Sequence, residues 1–404
     1  MKKKILALVL IVALVASLAI ALTACEPETD EHEFSPIAKE DIKFGLICLH
    51  DETSTYDKNF IDAATQAANE MGVQLVIKRN VPEKGNECYE AAADLVDEGC
   101  NIIFANSFGH EGNMIEVAKE FPNVRFAHAT GTKAHTENLA NYSNAFASIY
   151  EGRYLAGVAA GMKLAAMYGA DNNKKIGYVG AYPYAEVVSG YTSFFLGVRS
   201  ICPNVTMEVR YTNEWYDPVR ERTAAENLIT SGCVLISQHA DSMGAPNACE
   251  AAGIPNVTYN ISTADTCGST YLIGSKINWA PYFKYFIQCA IDGDAVAKDW
   301  CGTIANGAVE VIDFSTANAA AGTAEKLAEV KAALANGSLK VFDCANFTVG
   351  GEHLTSYIAD VDDAGDYVKE TEAIVAENGG YYFAESTKRS APYFDVRIDG
   401  ITEI

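Results

Sequence analysis

Short apolar, β-branched runs alternate with amphipathic segments of helical period from residue 43 to residue 292. The runs predict strands at 43–49, 73–78, 101–105, 124–129, 175–180, 205–211, 233–237, 256–259 and 271–274. The segments between them predict helices near 57–71, 88–98, 113–121, 151–167, 187–201, 218–231, 243–252 and 281–292. Strand and helix in regular alternation imply an α/β chain with parallel sheets and right-handed crossovers. Gly45-Leu46-Ile47-Cys48-Leu49 reads as a buried parallel strand, apolar without interruption. The series divides near Asn144 into two similar sets, so two doubly wound parallel sheets are expected to face one ligand cleft across their carboxyl-end loops. Beyond Cys301 the pattern weakens: strands are expected at 308–312 and 339–342, a helix at 324–334 between them, and a further helix at 367–377.

The amino terminus differs in kind. Lys2, Lys3 and Lys4 precede an apolar run from Ile5 to Leu22, which closes on Thr23-Ala24-Cys25. A cationic start, an apolar stretch and terminal small residues mark residues 1–24 as a secretory signal peptide. A retained transmembrane helix is the alternative, because the run is long enough to span a bilayer. A cysteine directly after small residues favours cleavage with lipid attachment at Cys25, and the Leu-Thr-Ala-Cys box resembles that of bacterial lipoproteins. Residues 25–41, acidic and without periodicity, read as a flexible tether. These features predict a protein anchored by lipid on the extracytoplasmic face of the cell membrane.

The formal charge of −23 becomes more negative once the three leading lysines are removed. An acidic surface excludes nucleic acid, whose phosphates require a basic face. Eleven cysteines are numerous for an exported chain, yet Cys48, Cys233 and Cys289 fall inside apolar runs, where free thiols behave as small hydrophobes. There is no Cys-x-x-Cys pair, no Cys/His cluster of zinc spacing, no glycine-rich nucleotide loop and no Gly-x-Ser-x-Gly elbow. No metal or cofactor is therefore expected, and the reading is of a binding protein rather than an enzyme.

The chemistry concentrates in loops after predicted strands. The first is His50-Asp51-Glu52-Thr53-Ser54-Thr55-Tyr56-Asp57; Thr55 or Asp57 suits a helix cap, and Asp57 equally suits a ligand contact. Tyr56 offers an aromatic face at the cleft. Asn106-Ser107-Phe108-Gly109-His110 and His128-Ala129-Thr130-Gly131 follow later strands. In the second set come Glu186 after Tyr182-Pro183-Tyr184-Ala185, then Trp215 within Thr212–Pro218, His239 and Asp241 within Ser237–Ser242, and Asn260. Asp217 before Pro218 is accounted for as a helix cap. The predicted ligand set is thus Tyr56, Asp57, Asn106, Phe108, His128, Glu186, Trp215, His239, Asp241 and Asn260. Aromatic faces would supply affinity and the polar groups selectivity.

These segments, with Val124–Gly131, Glu151–Gly161, Lys175–Gly180 and Asn278–Tyr282, resemble in order and spacing the basic membrane protein family of substrate-binding lipoproteins of ABC transporters over residues 40–345. Characterised members include purine nucleoside receptors. The resemblance implies a two-lobed periplasmic-binding-protein type I fold without catalysis, closing on a purine base or nucleoside and docking on an ABC permease. It implies an N-lobe of residues 42–146 with 276–302 returning to it and a C-lobe of 147–275 with 303–345. Hinges would fall near 144, 275 and 302, and 346–404 would form a C-terminal extension. By resemblance Tyr56 occupies the place of a stacking phenylalanine and Asp57 that of a base-contacting asparagine. Asn260 stands for a ribose-binding aspartate, and Ile277, with Lys276 one place off, for a ribose-binding lysine. Losing both ribose contacts points toward a free base or another small polar ring. Two alternatives keep the same cleft: a membrane-anchored sensor for a signalling partner, and an exported nucleoside hydrolase using Asp57, Asp241 and His239.

Overall fold

The computed structural model describes residues 33–361 and 368–404. The signal peptide and Cys25 lie outside the described residues. The first sheet contains β1 (Lys43–Ile47), β2 (Gln74–Lys78), β3 (Ile102–Ala105), β4 (Arg125–Ala129), β5 (Tyr142–Ala147) and β11 (Asp299–Gly302). Its order is β11-β5-β4-β3-β1-β2, with every pair parallel. The second holds β6 (Lys175–Gly180), β7 (Thr206–Tyr211), β8 (Cys233–His239), β9 (Asn256–Tyr259), β10 (Tyr271–Ile277), β12 (Val309–Ile312) and β17 (Ile401–Glu403). Its order is β12-β10-β9-β8-β6-β7-β17, and only β10–β12 is antiparallel. Helices cover both sheets, giving the two-lobed α/β architecture of type I periplasmic binding proteins. The chain passes between the sheets after β5, after β10 and after β11.

The Glu151–Gly161 motif is explained by packing. The helix Ile149–Tyr168 crosses the helix Ala185–Arg199 so closely that a Cβ on Gly157 would lie 2.1 Å from the Phe194 carbonyl oxygen. A Cβ on Gly197 would lie 2.2 Å from that of Tyr154. Only glycine permits this backbone approach. Both helices bury residues around most of their circumference, as elements inside a core rather than over it.

Three expectations are corrected. Residues 339–342 form a turn, not a strand: Gly337 leaves the helix Thr323–Ala335 at positive φ, and Phe342 is spent on a side-chain contact instead of a ladder. Its ring stacks on Phe394 at 4.1 Å. The described part of the expected helix 367–377 holds β14 (Thr371–Glu372), paired with β13 (Ile358–Ala359), and β15 (Ile374–Glu377). β15 forms a hairpin with β16 (Gly380–Phe383) through Asn378 and Gly379, both at positive φ, the hairpin turn that an Asn-Gly pair favours. The segment read as tether is docked from Phe34 onward: Arg125 lies 4.0 Å over the Phe34 ring, and the Ile37 amide bonds to the Ala290 carbonyl.

The extension is part of the core. Phe342, Phe347, Phe383 and Phe394 form a buried aromatic cluster, and β17 adds a parallel edge strand beside β7. All ten cysteines after Cys25 are free, and nine are buried. Among the described residues no helix is long and apolar enough to cross a membrane.

Phe394→Ala should destabilise the protein by about 3–5 kcal/mol, the usual cost of removing a fully buried phenylalanine. Urea unfolding followed by tyrosine and tryptophan fluorescence measures it; an unchanged midpoint would mean that the extension does not belong to the cooperative core.

Candidate functional site

The loop after β1 leads into the helix Thr55–Met71, and the cap is Ser54, whose Oγ accepts from the Asp57 amide at 3.2 Å. Neither Thr55 nor Asp57 caps, so the Asp57 carboxylate is free to face the cleft. Its Oδ1 accepts from Asn106 Nδ2 at 2.8 Å and the His50 amide at 3.2 Å, while His50 Nδ1 lies 3.5 Å from Oδ2. Burial pushes this carboxyl upward, but the hydrogen bonds from His50, Asn106 and Ser54 outweigh it and hold it below the ordinary range. Asn106 is the keystone beneath it: its Oδ1 accepts from the Leu49 amide and its carbonyl from Tyr56 Oη at 2.7 Å.

Behind this wall His128 Nε2 donates to the Ser107 carbonyl at 2.6 Å. Burial lowers its pKa, so the ring is neutral. The His-Ala-Thr-Gly motif turns tightly here. Thr130 holds φ +64°, an outlier for a β-branched residue. A Cβ on Gly131 would meet Asn144 Nδ2 at 1.9 Å, besides Glu111 and His128. Ser107 and the Gly109 amide both donate to Glu83, fixing the loop that presents Phe108.

From the second lobe, Trp215 packs edge-on to Tyr182 at 5.0 Å, and Tyr182 stacks on Tyr184. Glu186 lies 3.3 Å from His239 Nε2. His239 is kept neutral by burial first and by Arg153 second. Arg153 lies 3.4 Å over the Tyr259 ring and donates to the Gln238 carbonyl. The Asp241 amide bonds to the Trp215 carbonyl. Its carboxylate has no hydrogen-bond donor among the described residues, and burial first, then Glu221, Asp57 and Glu186, push its pKa well above the ordinary value.

The lobes are closed on each other. The Thr55 amide bonds to the Asp241 carbonyl at 2.7 Å, His50 meets Tyr216 at 5.2 Å, and Phe108 stacks on Tyr184 at 5.4 Å. Between them is a small cavity, about 370 Å³ of space between atoms with the solvent at its mouth included, lined by Leu49, His50, Tyr56, Asp57, Ser107, Phe108, Thr130, Glu186, Trp215, His239 and Asp241. Seven of the predicted set line it: Tyr56, Asp57, Phe108, Glu186, Trp215, His239 and Asp241. Asn106 and His128 stand one layer behind as supports. Asn260, at φ +69°, faces a separate recess with Asn59 and Lys276. Lys276 is 3.6 Å from Glu310, and Ile277 is buried with its carbonyl bonded to Asn59. Leu49, His50, Ser107 and Thr130 lie outside the predicted set, although the last three stand in loops marked as chemically dense and Leu49 ends the strand before the first of them. The walls carry three carboxylates and no lysine or arginine. No group of histidine, cysteine and acidic residues able to hold a metal occurs among the described residues.

Comparison with known proteins places this geometry. A family model described as "ABC transporter substrate-binding protein PnrA-like" matches residues 48–340. A purine-binding protein of Brucella abortus is 31% identical over 350 residues, covering 81% of this chain and 94% of its own. A Haloferax volcanii protein named as an ABC transporter glucose-binding protein, TsgA13, is 34% identical over 242 residues, 60% of this chain and 59% of its own length. Solved solute-binding proteins of ABC transporter systems share the fold. That from Aeropyrum pernix K1 has a TM-score of 0.61 at 16% identity, covering 77% of this chain and 94% of its own. That from Conexibacter woesei has 0.60 at 17%, covering 74% and 98%.

Asp241→Asn should stabilise the ligand-free protein at neutral pH. A carboxyl whose folded pKa is raised adds stability below the unfolded value near pH 4, and that stability is lost as pH rises toward the folded value. The variant's advantage in thermal midpoint should therefore grow from pH 4 to pH 8; an advantage equal at both would show that Asp241 is not held protonated by its surroundings.

Proposed function

Because the chain belongs to the family of PnrA-like substrate-binding proteins of ABC transporters, we propose that it captures a planar, donor-rich nitrogen heterocycle of the purine class for import. The observation that carries this reading is the cavity's chemistry: aromatic faces from Tyr56, Phe108 and Trp215 around three carboxylates, with no cation in the wall. Aromatic rings accept any flat π-face, and carboxyl oxygens accept N–H donors, through charge-assisted hydrogen bonds where the group stays ionised, as Asp57 does. The purine-binding relative supports the same class. Capture proceeds by hinge closure, which a ligand contacting both lobes favours by binding only the closed form. Asp241 gives the selectivity: its unpartnered oxygens wait for a donor, and a ligand without one leaves them desolvated. The work is that of a receptor for a cognate permease, not of an enzyme. A lipid on Cys25 would hold the receptor beside that permease on the extracytoplasmic face of the membrane.

The test is a thermal-shift screen of refolded, ligand-free protein against nucleobases, nucleosides, amino acids and sugars. A ligand at about a hundred times its dissociation constant adds about 2.7 kcal/mol of stability. Stabilisation by purines is expected. A response to sugars alone, as the name of the Haloferax relative would suggest, would overturn the purine reading. Trp215→Ala and Tyr56→Ala should each weaken purine binding by about 1–3 kcal/mol, the range for a lost base–aromatic stack. Titration calorimetry on both variants measures this, and wild-type affinity in both would place the ligand elsewhere.

A further inference from the structure

A second chamber lies directly in front of the inner cavity, and the two share Phe108, Thr130, Glu186 and Trp215. It opens to solvent, and about 1020 Å³ lies between its walls with that solvent included. Its far wall comes from the extension, beyond residue 340 where the family match ends: Lys369, Arg389, Tyr393, Asp395 and Arg397 contribute to it. The two chambers differ in charge pattern. The inner one has carboxylates and no cation; the outer one holds three cations together with Glu186, Asp360 and Asp395.

The partners of these groups decide what the outer chamber lacks. Asp395 accepts from Tyr357 Oη at 2.6 Å and pairs with Lys369, so it is satisfied. Arg397 pairs with Glu403 at 2.7 Å. Arg389 makes no ion pair among the described residues. Its Nε and Nη2 donate to the carbonyls of Ala391 and Pro392 at 3.1 and 3.2 Å, and its Nη1 has no acceptor among the described residues, although the residue is only 9% exposed. The carboxyls of Asp299 and Glu385 are near enough to influence it, but neither is within ion-pair distance. A buried guanidinium with an empty donor calls for an oxyanion. The chamber also receives the start of the helix Ala185–Arg199. Ala185 is in the wall, and no side chain caps the helix at Tyr184, so its amides and dipole favour negative charge there.

We propose that the extension builds an outer subsite for an oxyanion, a carboxylate or a phosphate, carried by a ligand whose ring fills the inner cavity, with Arg389 as its principal partner. The proposal rests on the heterocycle reading above and adds the second half of the ligand.

The test is titration calorimetry on the full mature chain with adenine, adenosine, adenosine 5′-monophosphate and adenosine 5′-carboxylate. One or both oxyanion-bearing probes should bind about tenfold tighter than adenosine, and the preferred one distinguishes phosphate from carboxylate. Arg389→Gln should abolish most of that gain and Arg389→Lys should restore part of it. The readout is the ratio of affinities within each variant, so a general loss of folded protein cancels. If Arg389→Gln does not fold, Lys369→Gln, at a half-exposed position in the same wall, should reduce the same ratio. Adenosine binding as tightly as both derivatives, or a gain that survives these substitutions, overturns the outer subsite and leaves the inner reading intact. Failure of all four probes, with binding of another ligand class, overturns both.

Discussion

Parallel pairing is the constraint from which this molecule follows. A parallel pair must be joined by a crossover, so each sheet directs the carboxyl ends of its strands to one edge. The loops after β1, β3 and β4 therefore meet the loops after β6, β7 and β8, and the chemistry collects along one seam. The close crossing at Gly157 and Gly197 serves the same end, locking the helix that leaves the first lobe against the helix that begins at Glu186's loop.

Along that seam the polar groups divide by whether their hydrogen bonds are already made. Asp57 is held by Asn106 and His50, and His128 by the Ser107 carbonyl. These residues give the wall its shape. Asp241 and Trp215 offer open faces, and the strained Thr130 shares the cavity lining with them. A site arranged in this way spends little ordering entropy on its own walls when a ligand arrives.

The sequence disclosed the repeated architecture and most of the cavity lining because apolar strands and helical period are local signals. It hid β5, whose Tyr-Ser-Asn-Ala-Phe-Ala is interrupted by Ser143 and Asn144 yet wholly buried, since Asn144 is satisfied by tertiary partners: its Oδ1 accepts from the Ala134 amide. It hid β11 and β17, four and three residues long, which are strands only because an edge was waiting for them. Asn106 and His128 were legible as site residues but not as supports, because depth from the cavity is a property of packing. Its loop position after a predicted strand put Asn260 in the ligand set and the family resemblance agreed, whereas its left-handed turn aims it at another recess. The Asn378-Gly379 hairpin signal was present in the chain and was overshadowed by the helical spacing around it.

The ten free thiols bear on how such a protein lasts beyond the cytoplasm. Burial raises the thiols of Cys48 and Cys88 well above the ordinary value, and those of Cys100 and Cys301 to about 11. Thiolate is the form that oxidants attack, so the folded chain is chemically quiet without a single cross-link. Its protection is steric and lasts only while the fold does. One complete unfolding event in air exposes ten mutually reactive sulfurs, and scrambled bridges then forbid return. Durability for this receptor is thus a matter of how rarely it opens, a rate rather than an equilibrium.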